Sequence, residues 1–332
     1  MDEGRPEAAL RRTRALRKNW DVVIAGAGPA GLSAALVLGR ACRDALLCDT
    51  GTPRSWASKE MHAYLSRDGL PPERFLALGR QEVLKYRNVH FEPVEVREAR
   101  RVGTGFDVKI GRKVVRARKL LIATGLYDIV PRIPGIDALF GRTVFQCPYC
   151  DGWELRGQKI AVYGRRQRGF QMARAMTAWA DDILLCTDGP SRFDAAQRRN
   201  LARNGITLIE TRVRELKGQR GRLRAVVFAD GKELPRDALF FDTPSRLQSP
   251  LATSLGCRFG RNGGVLCGDH EATSVPGVFV AGNIIRDVQL SIVAAAEGAR
   301  AAFGINRALT REDFERRATG RRRIEHPHVV KQ

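Results

Sequence analysis

Two cysteines separated by two residues are the side chains in this sequence best suited to chemistry. They lie in the stretch FQCPYCDG, residues 145–152. A pair with this spacing can close and reopen a small disulfide, because one thiolate attacks a partner disulfide and the other resolves the mixed disulfide. Asp151 directly follows the second cysteine and can supply or accept the proton that each exchange requires. We therefore predict Cys147, Cys150 and Asp151 as catalytic residues.

The same pair could instead be half of a four-cysteine zinc site, which needs a second close pair of cysteines. The other five cysteines contain no such pair: Cys42, Cys48, Cys186, Cys257 and Cys267. The spacing thus favours redox chemistry, and we predict no metal site.

The chain has 332 residues, enough for about two domains. Its net charge is +21, and much of the excess lies in the terminal segments 1–19 and 316–332. Such segments could bind nucleic acid, a membrane or an acidic protein, or they could be solvated tails. Because no basic stretch is interleaved with base-stacking aromatic residues, we favour solvated tails and expect no nucleic-acid or membrane partner. An acidic protein substrate remains open.

The basic N-terminus is not followed by the apolar core of a secretory signal. No segment approaches the ~18 uninterrupted apolar residues of a membrane span. These patterns predict a cytoplasmic protein, in which disulfides are rare as structural bonds and common as catalytic ones.

A glycine motif near the N-terminus predicts a dinucleotide site. A short apolar strand at 22–25 leads into Gly26-x-Gly28-x-x-Gly31, and a helix follows over 32–40. The three glycines allow, in order, a tight turn, close approach of a pyrophosphate, and close packing of helix on strand. A second strand at 45–48 ends at Asp49, which can hydrogen-bond adenosine ribose hydroxyls. This context favours a ligand site over an empty glycine turn.

A distant segment predicts the second part of the same site. A strand at 278–281 ends in Gly282 and Asn283, and a helix is expected over 288–302 with its N-terminus toward the cofactor. A discontinuous domain follows from this pairing. The predicted division is a basic extension at 1–19, a first domain at 20–126 and 250–315, an inserted domain at 127–249, and a basic tail at 316–332.

Taken together, these motifs resemble those of the low-molecular-weight thioredoxin reductases and their thioredoxin-reductase-like relatives. The order and spacing match over nearly all of residues 20–310. The residues that carry the resemblance are the first glycine motif, Ala123-Thr124-Gly125, the 147–152 stretch and VPGVFVAG at 275–282. We predict an α/β fold of two doubly wound, three-layer Rossmann-like domains, the second inserted in the first.

The resemblance implies FAD, a homodimer, and distinct roles around the disulfide. Cys150 would lie against the flavin, Cys147 would attack the partner disulfide, and Asp151 would be the acid/base. Asn283 replaces the aspartate usual in the family, and since its amide can still hydrogen-bond a ribityl or phosphate oxygen we expect FAD to be retained. The predicted FAD-binding residues are Gly26, Gly28, Pro29, Ala30, Gly31, Asp49, Thr50, Ala123, Thr124, Gly125, Gly282, Asn283, Gln289, Leu290 and Ser291.

The middle of the chain contains a second βαβ pattern whose glycine loop, 164–169, is altered. Arg166 replaces the middle glycine, and its side chain would crowd a pyrophosphate. Asp188 stands where the family usually has a histidine followed by arginines, and it would repel the 2′-phosphate of NADPH. The segment 243–245 does not resemble the family's nicotinamide-side segment. NADPH binding is therefore doubtful, although phosphate binding in another mode, or NADH, remains open.

We predict an FAD-dependent thiol-disulfide oxidoreductase that passes electrons between flavin, the Cys147–Cys150 disulfide and a partner disulfide. The partner would be a thioredoxin-like protein or a small dithiol or disulfide. One alternative is a dithiol oxidase that uses FAD and oxygen, and another is a non-enzymatic redox-sensing flavoprotein. His62 lies in a segment beside the first motif and is interpreted as a structural residue rather than a base.

Overall fold

A computed structural model describes residues 17–319. Most of the basic residues of the two predicted tails lie outside this range, namely Arg5, Arg11, Arg12, Arg14, Arg321, Arg322, Arg323 and Lys331.

The larger of two main sheets has seven strands in the order β3-β2-β1-β6-β5-β4, with β17 also paired to β6. Strands β1, β2, β3, β6 and β17 run parallel, and β4 and β5 extend the sheet antiparallel. Along one edge of β6, the first half pairs with β5 and the second half with β17. The strands are β1 Asn19–Ala25, β2 Ala45–Cys48, β3 Val89–Glu92, β4 Val96–Val102, β5 Gly105–Ile110, β6 Lys113–Ile122 and β17 Val278–Val280.

The second main sheet has five parallel strands in the order β11-β10-β9-β15-β8. All of them come from the middle of the chain. They are β8 Val144–Phe145, β9 Ile160–Tyr163, β10 Ile183–Cys186, β11 Thr207–Ile209 and β15 Ala238–Phe241.

Two small antiparallel sheets complete the strands. One contains β12 Val213–Gln219, β13 Arg222–Phe228 and β14 Glu233–Pro235. The other pairs β7 Leu126–Asp128 with β16 Ser245–Leu247, so the two connections between the main sheets lie side by side. The helices are α1 Pro29–Arg40, α2 Pro72–Val83, α3 Pro148–Asp151, α4 Arg166–Met176, α5 Ala195–Arg203, α6 Leu251–Ser254 and α7 Ser291–Ala318, with 3₁₀ turns at Asp269–Glu271 and Asn283–Ile285.

Both faces of the central strands are buried, as a parallel sheet between helix layers requires. In β1, Val22 and Ile24 pack with α1 and α7, while Val23 and Ala25 pack in the cluster that includes β4 and β5. The middle sheet shows the same alternation, with Ala161 facing one core and Ile160 and Val162 the other. The fold is α/β with two Rossmann-like units, as the sequence predicts.

Helix α7 differs from the helix predicted over 288–302. It begins at Ser291 and extends to Ala318, well beyond the predicted end. Its final turns carry carboxylates that meet one cation from β6 and one from the turn between α1 and β2. Arg118 is 2.8 Å from Glu312 and 2.8 Å from Asp313, and Arg43 is 2.6 Å from Asp313. These distant partners hold the helical extension in place, which local sequence did not reveal. Among residues 17–319, no helix is both long enough and apolar enough to cross a membrane.

Candidate active site

The first glycine motif has the geometry that its spacing predicts. A Cβ added to Gly31 would lie 1.8 Å from the carbonyl oxygen of Gly26, so helix and turn touch only because no side chain intervenes. Gly26 has φ +104°, a conformation that favours glycine. At Gly28, by contrast, an added Cβ would meet nothing within 4 Å. Packing therefore dictates the first and third glycines, and the second leaves open space above the backbone.

Asp49, at the end of β2, is bound by two backbone amides. Its Oδ1 accepts a hydrogen bond from the N–H of Ala27 at 2.9 Å, and its Oδ2 accepts one from Gly51 at 2.8 Å. The carboxylate thus ties the glycine turn to the following loop. Because each carboxylate oxygen has two lone pairs, the interaction with ribose hydroxyls predicted from sequence stays available.

The distant segment packs directly on the first turn of α1. A Cβ on Gly298 would lie 2.0 Å from the carbonyl oxygen of Ala30, and one on Gly282 would lie 3.1 Å from the Ala30 side chain. The N–H of Gly282 donates to Glu297 Oε2 at 2.6 Å. Burial of Glu297 raises its pKa to about 7, although this hydrogen bond acts in the opposite direction. The two parts of the predicted site are therefore in contact.

A large cavity of about 1860 Å³ joins these elements to the redox cysteines. Every predicted FAD-binding residue lines it except Gly31, which lies behind the turn in its packing contact. Cys147, Cys150 and Asp151 line the same cavity. Sequence reasoning did not assign several other wall residues, among them Arg54, Phe140, Gln146, Arg168 and Arg286.

In the part of the chain that the structure describes, two buried polar atoms beside the cavity are without a hydrogen-bond partner in the region where FAD is expected. Within the described residues, the buried Thr124 Oγ1 and Gln146 Oε1 have no hydrogen-bond partner. Buried polar atoms are ordinarily paired, so these two atoms indicate a place for a polar ligand. Together with the open space at Gly28, they fit a dinucleotide in this cavity.

Cys147 and Cys150 form a disulfide at the start of the short helix α3. The N–H groups of Cys150 and Asp151 donate to the carbonyl oxygen of Cys147, at 3.1 and 3.2 Å. Glycine at position 152 avoids a steric clash, because an added Cβ would lie 2.5 Å from the Pro148 carbonyl oxygen and 3.0 Å from the Trp179 ring. No cluster of three or more potential metal ligands occurs in residues 17–319.

Asp151 is in an environment that favours its protonated form. Burial raises the pKa of its carboxyl to about 7, Glu154 adds to the rise, and His62 opposes it. A carboxyl group with this pKa can exchange a proton near neutral pH.

The second glycine loop keeps the packing of the first loop but not its open space. A Cβ on Gly169 would lie 2.1 Å from the carbonyl oxygen of Gly164, which reproduces the Gly26–Gly31 contact. Arg166 occupies the position of Gly28, has φ +52°, and begins α4.

Asp188 is bound by neighbouring protein groups on three sides. Its Oδ2 accepts hydrogen bonds from Arg165 at 2.7 Å and from the Tyr163 hydroxyl at 3.0 Å, and its Oδ1 accepts one from Val213 N–H at 3.0 Å. The nearby Arg168 turns toward the cavity and contacts Asp242 at 3.1 Å. The carboxylate expected to face a ligand is thus already engaged by the protein.

A polar cluster missed by sequence reasoning connects the cavity wall to the redox helix. Arg54 donates to both carboxylate oxygens of Asp128, at 2.5 and 2.6 Å, and also to Gln289. Gln146, adjacent to Cys147, donates to Asp128 at 2.7 Å. These residues are separated by up to 235 positions in sequence, so no local pattern indicates the cluster.

Comparisons with known proteins agree with this geometry. The sequence profile of the pyridine nucleotide-disulphide oxidoreductase family matches residues 20–298. Thioredoxin reductase tcpT of Claviceps purpurea (strain 20.1) is 32% identical over 277 residues, covering 79% of this chain and 86% of that protein. Thioredoxin reductase of Listeria innocua is 27% identical over 281 residues, covering 80% of this chain and 86% of that protein.

Solved structures show the same similarity. The crystal structure of HlmI matches with a TM-score of 0.88 and 34% identity, covering 92% of this chain and 97% of that one. The putative thioredoxin reductase TrxB from Bacillus anthracis matches with a TM-score of 0.84 and 31% identity, covering 89% of this chain and all of that one.

The chain belongs to the pyridine nucleotide-disulphide oxidoreductase family and is thioredoxin-reductase-like. It is an oxidoreductase acting on sulfur groups, with FAD as its implied cofactor. Membership in an enzyme family favours catalysis over the non-enzymatic redox sensor.

Proposed function

We propose that this protein passes electrons between FAD and the Cys147–Cys150 pair, and from that pair to a partner disulfide. The observation that carries the proposal is the shared cavity, whose wall includes the disulfide, Asp151 and fourteen of the fifteen predicted FAD positions. The thioredoxin reductases among its relatives support a thioredoxin-like protein as partner, and a small disulfide is the other candidate.

The pair and Asp151 account for the exchange chemistry. The Cys147 thiolate attacks one sulfur of the partner disulfide, forming a mixed disulfide and releasing one partner thiolate, which Asp151 protonates. As the Cys150 sulfur attacks the Cys147 sulfur, its thiol proton passes to the Asp151 carboxylate, which restores the acid. The protein disulfide closes, and the second partner thiolate leaves and takes from solvent the proton that Cys147 released when it became a thiolate. Two electrons and two protons thus pass from the protein dithiol to the partner.

FAD, when bound, supplies the two-electron carrier that reduces or oxidises the pair. The residues that would hold it are those of the first glycine turn, the Asp49–Thr50 end of β2, the 123–125 strand end and the 282–291 segment. The open backbone at Gly28 would admit its pyrophosphate, and Thr124 Oγ1 would find a polar partner.

We further propose that ordinary NADPH binding has been lost. Arg166 removes the space that Gly28 leaves in the first unit, and Arg165 and Tyr163 occupy the Asp188 carboxylate. These features also favour the dithiol oxidase as a second candidate. In that direction a small dithiol reduces the Cys147–Cys150 disulfide and leaves as a disulfide, and bound FAD would supply the carrier for the two electrons that oxygen finally takes up.

Anaerobic stopped-flow absorbance of the FAD-loaded protein tests both proposals. We expect no bleaching of the flavin band by NADPH or NADH and rapid bleaching by a dithiol. Recovery of the band in air would support the oxidase, and recovery with an added disulfide would support the reductase. Bleaching by NADPH within seconds would overturn the loss of the nucleotide site, and no bleaching by any dithiol would overturn the role of the cysteine pair.

The predicted domain boundaries, the homodimer and the cytoplasmic location stay predictions. Size-exclusion chromatography coupled to light scattering tests the homodimer. A monomer would give the 36.8 kDa mass of the chain, and a dimer would give twice that mass.

A further inference from the structure

The loop from Met61 to Leu70 is closed by its own hydrogen bonds. Met61 N–H donates to Leu70 at 3.0 Å, and Gly69 N–H donates back to Met61 at 2.9 Å. Ala63 and Ser66 have φ of +59° and +69°, which residues with side chains rarely adopt. The loop therefore keeps an unfavourable backbone shape, and its closure fixes the position of His62.

His62 lies between carboxylates from two parts of the molecule. Its Nδ1 is 3.5 Å from Asp68, and its Nε2 is 3.6 Å from Glu60 and 3.8 Å from Glu154. Asp68 also accepts the Ala63 N–H at 2.8 Å, so the loop holds the carboxylate that faces the ring. Glu154 follows the redox helix α3, whereas the loop precedes α2.

Asp151 lies three positions before Glu154 in the sequence and lines the cavity together with the redox cysteines. Burial is the main cause of its raised pKa, Glu154 raises it further, and His62 lowers it. The charged groups that face His62 are Glu60, Asp68 and Glu154. A protonated imidazole here would oppose the effect of Glu154 on the catalytic acid.

We propose that His62, which loop 61–70 holds 3.8 Å from Glu154, is a positioning residue that sets the proton exchange of Asp151 through that carboxylate. The inference rests on the proposed function, since it assigns Asp151 the proton delivered to a leaving thiolate. Because loop 61–70 and α3 belong to different sheet units, Asp151 works under the influence of His62 only while the two units keep this arrangement.

The test uses FAD-loaded protein, reduced with dithiothreitol and freed of it anaerobically. Reoxidation of the pair by hydroxyethyl disulfide is compared with reoxidation by dithiodipyridine from about pH 5 to about pH 9, by acid quench, alkylation and mass spectrometry. The aromatic leaving group is stable without a proton, whereas the alkyl thiolate requires one. The informative quantity is the rate with hydroxyethyl disulfide divided by the rate with dithiodipyridine. This ratio follows the protonation of the acid, because the titration of the attacking thiol affects both rates equally and cancels.

In the wild-type protein, the ratio should fall as the pH rises through about 7, the pKa of Asp151. His62→Gln should move this midpoint up by roughly half to one pH unit, and Glu154→Gln should move it down by a similar amount. Glu60→Gln is the matched control, because it removes a carboxylate beside the same His62 nitrogen but is not among the groups acting on Asp151. We expect it to leave the midpoint in place.

The possible failures are distinguishable. If the reduced protein reacts with neither disulfide, the proposed function fails and this inference fails with it. If both disulfides react while His62→Gln and Glu154→Gln leave the midpoint unchanged, or shift it in the same direction, His62 has no such role and the proposed function stands. A variant that lowers both rates equally without moving the midpoint would also overturn the inference.

Discussion

The two glycine loops of this molecule share their packing and differ in the space they leave. In both loops the first and last glycines approach so closely that a Cβ would lie within about 2 Å of a carbonyl oxygen, at 1.8 Å in one loop and 2.1 Å in the other. The middle position is open at Gly28 and occupied by a side chain at Arg166. Glycines that hold helix on strand can therefore persist where the glycine that admits a ligand does not.

The two units also differ at the aspartate that follows the second strand of each βαβ pattern. Asp49 is bound by two backbone N–H groups, whereas Asp188 is bound by an arginine, a tyrosine and a backbone N–H. Two side chains thus bind the acid of the second unit, whereas backbone N–H groups bind the acid of the first. Scaffold and binding site are separable properties of one βαβ pattern.

The largest expected effect comes from copying the second loop into the first. Gly28→Arg adds a Cβ that has open space around it, and it places a long side chain against the predicted pyrophosphate. We expect nearly complete loss of bound FAD with little change in the folded structure. Flavin absorbance per polypeptide and circular dichroism measure the two effects. Gly28→Ala is the control, and full FAD occupancy in Gly28→Arg would contradict the assignment of the site.

The next effect concerns the carboxylic acid that the second unit contributes to the shared cavity. Asp151→Asn removes the acid, and exchange with an alkyl disulfide at about pH 6 should fall by about 10²–10⁴-fold. The folded pKa of about 7 means that the acid form is present below that pH and is lost above it. The ratio of the wild-type rate to the variant rate should therefore fall with rising pH, to about one hundredth of its low-pH value near pH 9. A constant ratio across the pH range would show that Asp151 is not the proton donor.

A smaller effect concerns the ion pairs between Arg118 and the end of α7, which we call the α7 clamp. The clamp belongs to the first unit. Arg118 contacts Asp21, Glu312 and Asp313. Arg118→Met leaves these carboxylates without their shared cation and should cost about 3 kcal/mol of unfolding free energy. Chemical denaturation measures this loss, and Arg116→Met, at an exposed pair with Asp107, is the control.

The clamp also predicts a pH dependence. The cations lower the pKa values of Glu312 and Asp313 in the folded protein, even though burial acts in the opposite direction. Their stabilisation is therefore complete above the unfolded values of 4.5 and 3.8 and is lost as the pH falls through the lower folded values. Arg118→Met should make stability less dependent on pH in this range. If Arg118→Met has the same pH dependence of stability as the wild-type protein, the clamp does not contribute to acid unfolding.

The smallest effect is an expected lack of recovery. Arg166→Gly restores the middle glycine, but Asp188 stays bound by Arg165, Tyr163 and the Val213 N–H, so NADPH should not bleach the flavin. Anaerobic absorbance measures this, with the wild-type protein as reference. Bleaching by NADPH would show that Arg166 alone blocks the second site.

The sequence by itself determined the local chemistry and much of the secondary structure. The strand Ala45–Cys48 has the predicted bounds, because its short apolar run is buried on both faces. Spacing alone indicated the Cys147–Cys150 pair and the glycine turn, since both depend on residues within six positions of each other.

The tertiary structure decided which distant residues meet. The length of α7, the Arg54–Asp128–Gln146 cluster, the contact of His62 with Glu154 and the engagement of Asp188 all join residues far apart or on different elements. The physical reason is that hydrogen bonds and ion pairs depend on separation in space, whereas sequence patterns report only what lies on the same strand, helix or turn. For that reason residue types could indicate Asp151 as the proposed acid, but only the fold placed His62 beside Glu154.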